Sequence, residues 1–199
     1  MPDKLTISKP LRNAKPAIFF LSAMFVFTAA AQRKHDPPVV NDFEQRVQQY
    51  LDTHKAMHVA VKPSDSAAKI DQEKQQARHK IKQARPEAKQ GEIFTPAIST
   101  YFREQLALTL QGPEGSKVIA SLRHAEPLPN LSLKVNSRYP KNLPLQSTPP
   151  TLLANLPYLP GELEYRIVGQ TLVLYDVSSG LIADLLPNAI SDHGESKDK

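Results

Sequence analysis

The last part of the chain has a hydrophobic pattern typical of short, half-buried β-strands. Apolar residues alternate with polar ones or run together over residues 163–168, 171–177 and 181–186, and short segments containing glycine or serine separate these runs. Such runs joined by tight turns predict an antiparallel meander of three strands. Three short strands need a partner on their apolar face to be stable, so we expect helices to cover this sheet.

Helical periodicity is clearest in a segment that begins near Asn41, a residue suited to cap a helix, and continues to Lys62. The apolar positions of this segment are Phe43, Val47, Tyr50, Leu51 and Met57. Their spacing predicts an amphipathic helix of about four or five turns.

A second helical pattern runs from Ser64 or Asp65, either of which can act as the cap, to Arg85. Its apolar positions are few, namely Ile70, Ala77, Ile81 and Ala84. A stripe this narrow buries little area, and lysine and glutamine dominate the remaining positions. We interpret the segment as a solvated helix or a partly ordered spacer, and we prefer the spacer.

The composition becomes more apolar after Gly91. A helix with a broad apolar face is predicted from Pro96 onward, followed by a short helix that begins near Pro113, and together they would form a hairpin that covers the meander. Residues 131–135 alternate as one further half-buried strand. The proline-rich stretch that follows predicts an extended loop, with a single helical turn within residues 151–156.

These patterns predict an α+β protein, with N-terminal helices that are partly an extended spacer, followed by a small antiparallel sheet packed on a helical hairpin. The predicted divisions are a leader over residues 1–31, a polar basic helical spacer over 32–90, a small α+β domain over 91–190 and a disordered tail over 191–199.

The first 31 residues have the three parts of a secretory signal peptide: a basic start, an uncharged apolar middle and a small-residue end. Ala29 and Ala31 suit the shallow pockets of signal peptidase, so we predict cleavage after Ala31, or alternatively after Ala30. A retained anchor is the other interpretation, although an apolar stretch from Pro16 to Ala31 would span only about 24 Å of a hydrocarbon core that is roughly 30 Å thick. Either way we expect a periplasmic or extracellular protein.

The net charge of +5 lies mainly in the leader and the spacer. Residues 32–90 carry a net charge of +4, whereas residues 91–199 carry −2. We therefore expect no nucleic-acid partner, since no aromatic residues interleave the basic ones, and membrane contact only through the leader or weakly through the basic spacer. The chain has no cysteine, which excludes disulfides, thiol nucleophiles and cysteine-based metal sites.

The meander contains a Tyr-Arg-x-Val-Gly hairpin at residues 165–169, followed by an apolar strand at 172–176 and by Gly180 to Asp184. This region resembles a C-terminal module of uncharacterised bacterial secreted proteins, over roughly residues 92–190. It is more loosely similar to small periplasmic proteins linked to nickel and cobalt homeostasis, over residues 160–186. The resemblance implies a structural motif and brings no catalytic residue with it.

A histidine pair is the candidate metal site. His54 and His58 are four residues apart in the first predicted helix, so both imidazoles would project from one face and could share a metal ion. No third ligand stands at a telling spacing, and two histidines facing solvent are the alternative that we favour. We expect no cofactor.

A polar group on the meander is the candidate binding face, made up of Glu164, Arg166, Tyr175 and Asp184. A two-residue turn at 169–170 places Arg166 opposite Val173, and a two-residue second turn would place Asp184 opposite Val173 from the other side. The two side chains would then form a surface ion pair or the polar part of a ligand site. A three-residue second turn would instead move Asp184 to the opposite face of the sheet.

Sequence motifs for catalysis are missing: the chain has no nucleophile elbow, zincin helix or glycine-rich phosphate loop. We therefore expect a non-enzymatic interaction module that contacts an unknown envelope protein or polymer through the meander or the proline-rich loop. The alternatives are a hydrolase of cell-envelope polymers, using carboxylates among Glu162, Glu164, Asp176 and Asp184, and a periplasmic metal-responsive binding protein.

Overall fold

The structure, a computed structural model, describes residues 37–59, 64–123, 132–140, 143 and 148–190. It confirms the α+β class, with helices packed against a three-stranded antiparallel sheet of order β1-β2-β3. The elements are α1 Pro38–Ala56, α2 Ala67–Ala84, α3 Pro96–Thr109, α4 Gly112–Arg123, α5 Pro150–Leu153, β1 Leu163–Val168, β2 Thr171–Asp176 and β3 Leu181–Leu186.

The first helix, α1, begins earlier than its capping signal indicated. It begins at Pro38, which suits the first turn because proline lacks an N–H that would have no partner there, and Asn41 lies inside the helix. The helix ends at Ala56, so Met57 lies just beyond it. The buried face holds the predicted positions Phe43, Val47, Tyr50 and Leu51, together with Val40 and His54.

The second helix, α2, differs from the spacer that we preferred. Ser66 caps it by accepting a hydrogen bond from the N–H of Lys69, and Ala77 and Ile81 are buried. Ile81 belongs to the same apolar cluster as the buried residues of α1 and the sheet. The Arg78 guanidinium donates to the carbonyl of Ser179 at 2.7 Å. Two buried side chains and a long arginine therefore dock a helix whose apolar stripe looked too narrow to pack.

Both faces of the sheet are covered. The helix-facing side packs against α1, α3 and residues 93–94, and its core includes a group of aromatic rings: Phe43, Phe94, Phe102 and Tyr165. The opposite side carries a second cluster made up of Tyr139, Leu143, Val168, Val173, Tyr175, Ile182 and Leu185. The chain after residue 131 supplies the cover for this second side.

That cover is not the strand predicted over residues 131–135. Residues 132–134 have no regular structure and 135–137 form a turn, while Leu131 lies outside the described residues. Arg138 alone makes a bridge with Leu181, flanked by hydrogen bonds from Asn136 to Ile182 and from Tyr139 to Gly180. The alternating residues thus run into the edge of β3 as a short irregular segment and not as a fourth full strand.

The register of the meander agrees with the prediction at the first turn and differs at the second. Arg166 lies opposite Val173, as predicted. The β2–β3 pairing starts in the expected register, but an irregularity between Leu174 and Tyr175 shifts it by one residue, so Asp184 lies opposite Leu174. A bulge of this kind moves every later side chain to the other face of the sheet.

Several predictions fall outside the described residues. These are the leader with its cleavage positions Ala29 and Ala31, and the tail over 191–199.

The helical turn predicted within 151–156 corresponds to α5. Among the helices that the structure describes, none combines the length and the hydrophobicity needed to cross a membrane.

Candidate functional site

A groove of about 690 Å³ lies between β1 and the proline-rich loop that precedes it. Its walls are mainly aliphatic and include Leu153, Leu156, Leu159 and Leu163. The only charged side chains among its described lining residues are Glu164 and Arg166. A concave, mostly apolar site with a few polar groups is the usual form of a ligand pocket.

Hydrogen bonds hold the loop in place along the groove. The Tyr165 hydroxyl donates to the carbonyl of Pro157 at 3.1 Å, and the Leu163 N–H donates to the carbonyl of Pro160 at 3.0 Å. Between these two anchors Tyr158 projects outward and is 88% exposed. Because its neighbours are fixed, Tyr158 stands at the lip of the groove with little backbone freedom.

Three of the four residues in the predicted binding face come together beside the groove. Arg166 donates through Nε and Nη2 to Glu164 Oε2, at 3.2 and 2.9 Å. The Arg166 guanidinium carbon also lies 3.4 Å from the ring centroid of Tyr175 and 4.9 Å from that of Tyr139. Stacking on aromatic faces stabilises a cation that is largely removed from water, and the Arg166 side chain is only 13% exposed.

Burial raises the pKa of the Tyr175 hydroxyl, and the nearby Arg166 charge acts in the opposite direction. Burial likewise raises the pKa of Tyr139, and the Arg166 charge again acts in the opposite direction. Both phenols are therefore neutral around pH 7, and among the described residues the ion-pair partner of Arg166 is Glu164. The Glu164 side chain is 51% exposed and is the more accessible member of the pair.

Asp184, the fourth predicted residue, lies elsewhere, so its expected pairing with Arg166 is wrong. The shifted register turns Asp184 toward the helices, where it is fully buried. Its Oδ1 accepts from the N–H groups of Gly91 and Leu185 at 3.0 and 2.8 Å, and its Oδ2 accepts from Ile93 and Phe94 at 2.7 and 2.8 Å. Four backbone donors occupy this carboxylate, which ties residues 91–94 to β3.

The histidine pair is not formed on one helical face. His58 lies past the end of α1 in a turn, exposed and with a φ of 49°, so the spacing of an α-helix does not apply to it. His54 is buried, with its Nε2 at 2.9 Å from Asp176 Oδ2. The described part of the chain contains no group of three histidine, aspartate or glutamate side chains that could hold a metal ion.

Asp176 is the centre of a buried polar cluster that sequence reasoning missed. Besides His54, the Tyr50 hydroxyl donates to Asp176 Oδ2 at 2.8 Å and the Ser179 hydroxyl donates at 2.6 Å. The N–H groups of Ser178 and Ser179 donate to Oδ1 at 2.9 and 3.1 Å. The cluster links α1 to the β2–β3 turn. The sequence contained one indication of this cluster, because the polar side chains of Tyr50 and His54 both fall on the apolar face of α1 and so need buried partners.

The electrostatics of this cluster favour a charged carboxylate. Burial raises the pKa of Asp176, but the hydrogen bonds and charge of His54, Ser179 and Tyr50 outweigh burial and hold it below the ordinary value of 3.8. The pKa of Tyr50 is well above 10.0, first because of burial and then because of the Asp176 charge. Tyr50 is therefore a permanent donor at physiological pH.

Asp176, His54 and Ser179 are the residue types of a hydrolytic triad, but their order differs. In a triad the histidine stands between serine and aspartate and takes the proton of the serine. Here the Ser179 hydroxyl donates directly to Asp176 and the whole residue is buried. Among the four carboxylates of the hydrolase alternative, Asp176 and Asp184 are both fully buried, and only Glu164 lines the groove.

No family model, no curated protein and no solved structure matches this chain. The resemblance to secreted bacterial modules therefore stays a prediction. The groove, Tyr158 and the pair formed by Glu164 and Arg166 are the features of the described structure that bear on function.

Proposed function

We propose that this chain is a non-enzymatic binding module that works in the periplasm or outside the cell and contacts an envelope protein or polymer through the groove. The observation that carries the proposal is the exposure of Tyr158 at the lip of an apolar groove. Tyr158 leaves 88% of its surface in water, so a partner that covers its ring lowers the free energy of the complex.

The polar groups near the groove support binding in preference to catalysis. Arg166 is stacked on two tyrosines and paired with Glu164, so its position is set before any ligand arrives. A general acid or base needs a titratable group that is free to exchange a proton with the substrate. The two aspartates of the sheet are occupied by several donors each and lie away from solvent.

The experiment is site-specific photocrosslinking in the envelope. Tyr158 is replaced by benzoylphenylalanine in the full chain, the cells are irradiated, and crosslinked products are identified by mass spectrometry. We expect one discrete product with an envelope component. The control carries the same photoreactive residue at Lys69, which is exposed on α2. Identical products from both positions, or no product from position 158, would contradict the proposal.

Export has its own measurement. Mass spectrometry of the protein recovered from the periplasm or the medium should show Gln32 as the first residue, or Ala31 if cleavage follows Ala30. Recovery of an intact N-terminus from the cytoplasmic fraction would contradict the location that we propose.

A further inference from the structure

Two segments that are far apart in the sequence lie side by side in the fold, and every charged side chain in them is basic. These segments are residues 74–86 of α2 and its end, and the irregular segment 132–140, neither of which contains aspartate or glutamate. Asn136 joins them, because its side-chain amide donates to the carbonyl of Arg85 at 2.7 Å. The Arg85 guanidinium is paired with Glu92, but the other cations of the two segments add up.

Two of these cations approach each other beside the β2–β3 turn. Arg78 donates to the carbonyl of Ser179 at 2.7 Å, and Arg138 forms its bridge with Leu181, two residues further along. The pKa of Arg78 lies below its usual value, first because of burial and then because of the Arg138 charge, while the Asp71 charge acts in the opposite direction. Two guanidinium groups that repel each other are stabilised by an anion that contacts both.

Three lysines extend this pair of arginines. Lys74 and Lys82 stand four residues before and after Arg78, so all three share one face of α2. Lys134 begins the turn that Ser137 closes by donating to the Lys134 carbonyl from its N–H and its hydroxyl. The basic patch, as we call this group, consists of Lys74, Arg78, Lys82, Lys134 and Arg138. The last three of these side chains are exposed and the first two are partly buried.

The basic patch has two rows of charge, which favours a surface over a linear polymer as its partner. One row follows α2 from Lys74 to Lys82, a length of about 12 Å at the helical rise of about 1.5 Å per residue. The other row is formed by Lys134 and Arg138 on the neighbouring segment. A linear polyanion would follow one row, whereas a plane of anionic lipid head groups meets both rows at once. Clusters of about four to eight basic side chains are typical of proteins that bind such lipids.

The patch offers charge and no apolar side chain that could enter the lipid. Among the described residues, the exposed large apolar side chains are Leu108 of α3 and Tyr158 of the loop beside the groove. Contact through the patch is therefore electrostatic adsorption, which salt weakens.

We propose that the basic patch adsorbs to the phosphate head groups of an anionic lipid surface. Each basic side chain close to such a surface adds to the attraction, and guanidinium groups also form paired hydrogen bonds with phosphate oxygens. The inference goes beyond the proposed function, because the described residues that line the groove include none of the five patch residues.

Binding to lipid vesicles tests the inference. The protein used is the chain of residues 32–199, the mature form expected from cleavage after Ala31, which contains every described helix and strand. Vesicles of phosphatidylcholine with about 30% phosphatidylglycerol should bind it, whereas vesicles of phosphatidylcholine alone should not. Cosedimentation gives the affinity, which should fall at least tenfold when salt is raised from about 50 to about 500 mM.

A charge-matched pair of variants tests which cations are responsible. The double variant Lys134→Gln, Arg138→Gln removes one row of the patch and should lower the affinity for the anionic vesicles at least tenfold. The control, Lys55→Gln with Lys69→Gln, removes the same charge from exposed positions outside the patch and should lower it less than threefold. Circular dichroism checks that both variants are folded. Lys82→Gln, in the other row, is a second test and should lower the affinity at least threefold.

Several results would overturn the inference. These are equal affinity for neutral and anionic vesicles, equal losses in the patch and control variants, and binding that salt does not weaken. A soluble polyphosphate chain separates the membrane from a free polymer: if it binds the protein and the anionic vesicles do not, the partner is a linear polyanion and the lipid inference fails. The photocrosslink at position 158 is a separate measurement, so the proposed function stands or fails independently of these results.

Discussion

Asp176 and Asp184 are fully buried, and hydrogen-bond donors from distant parts of the chain stabilise both carboxylates. Asp184 accepts hydrogen bonds from backbone N–H groups of residues 91–94. Asp176 accepts them from Tyr50 of α1 and from the adjacent β2–β3 turn. A buried carboxylate without such donors would cost several kcal/mol, of the order of the penalty for an unpaired buried charge. Each aspartate therefore fastens one long-range contact of the fold.

Replacement of Asp184 by asparagine should destabilise the protein by about 3 kcal/mol. The amide keeps one accepting oxygen and directs an NH₂ group at backbone N–H groups that formerly donated to the carboxylate. Urea unfolding followed by circular dichroism measures the loss. The control is Asp52→Asn, which breaks an exposed ion pair with Lys55 and should cost less than about 1 kcal/mol. Equal losses for both variants would refute the anchoring role of Asp184.

The acid limb of the stability curve should depend on Asp176. Because its folded-state pKa lies below the ordinary 3.8, the charged carboxylate stabilises the fold above that pH. This contribution is lost as the pH falls through the lower folded-state pKa. Asp176→Asn should reduce stability at pH 7 and flatten the decline below pH 4, as measured by urea unfolding from pH 2 to 7. The exposed control Asp65→Asn should leave the decline of stability below pH 4 as steep as in the wild type. A decline that is equally steep in Asp176→Asn would show that Asp176 does not cause this pH dependence.

At the scale of elements, the two helices that precede residue 91 show how far amphipathic patterning reaches. The broad stripe of α1 predicts its burial, and four of the five apolar positions named from sequence are buried. The stripe of α2 was too narrow to predict packing, yet Ile81 is completely buried. Periodicity measures how much apolar surface a helix offers, but it does not say whether long polar side chains such as Arg78 find acceptors across the interface.

Ile81→Ala should therefore destabilise the protein by about 2 to 4 kcal/mol, the usual cost of a cavity at a fully buried isoleucine. Thermal or urea unfolding gives the value. Ile70→Ala on the same helix is the matched control, because Ile70 is only partly buried, and it should cost less than half as much. If Ile81→Ala has no effect, α2 is the solvated spacer of the initial interpretation.

For the whole molecule, the division at residue 91 that the change in composition indicated does not coincide with a division of the core. Phe43 of α1 stacks with Phe94 and packs on Phe102 and Tyr165, so rings from both sides of residue 91 share one cluster. Charge and composition describe the surface of a segment, whereas the core depends on which apolar faces meet. A change in composition along the chain therefore need not coincide with a boundary of the core.

A chain of residues 91–199 should accordingly fail to fold, because it exposes the surfaces that α1 and α2 cover. We expect no cooperative urea transition and poor dispersion of its amide signals in NMR. A chain of residues 37–199, which keeps every described helix and strand, should unfold cooperatively. A cooperative transition in the shorter chain would show that the original boundary marks an independent domain.

The sequence by itself determined the α+β class, the helices α1, α3 and α4, and the meander down to the pairing of Arg166 with Val173, because local periodicity and tight turns encode these features. Only the tertiary structure decided the face on which Asp184 lies, since a one-residue bulge leaves no clear mark in the pattern of apolar residues. The same holds for the cluster around Asp176 and for the groove. The cluster joins residues far apart in the chain, and the groove depends on how residues 148–159 pack on β1.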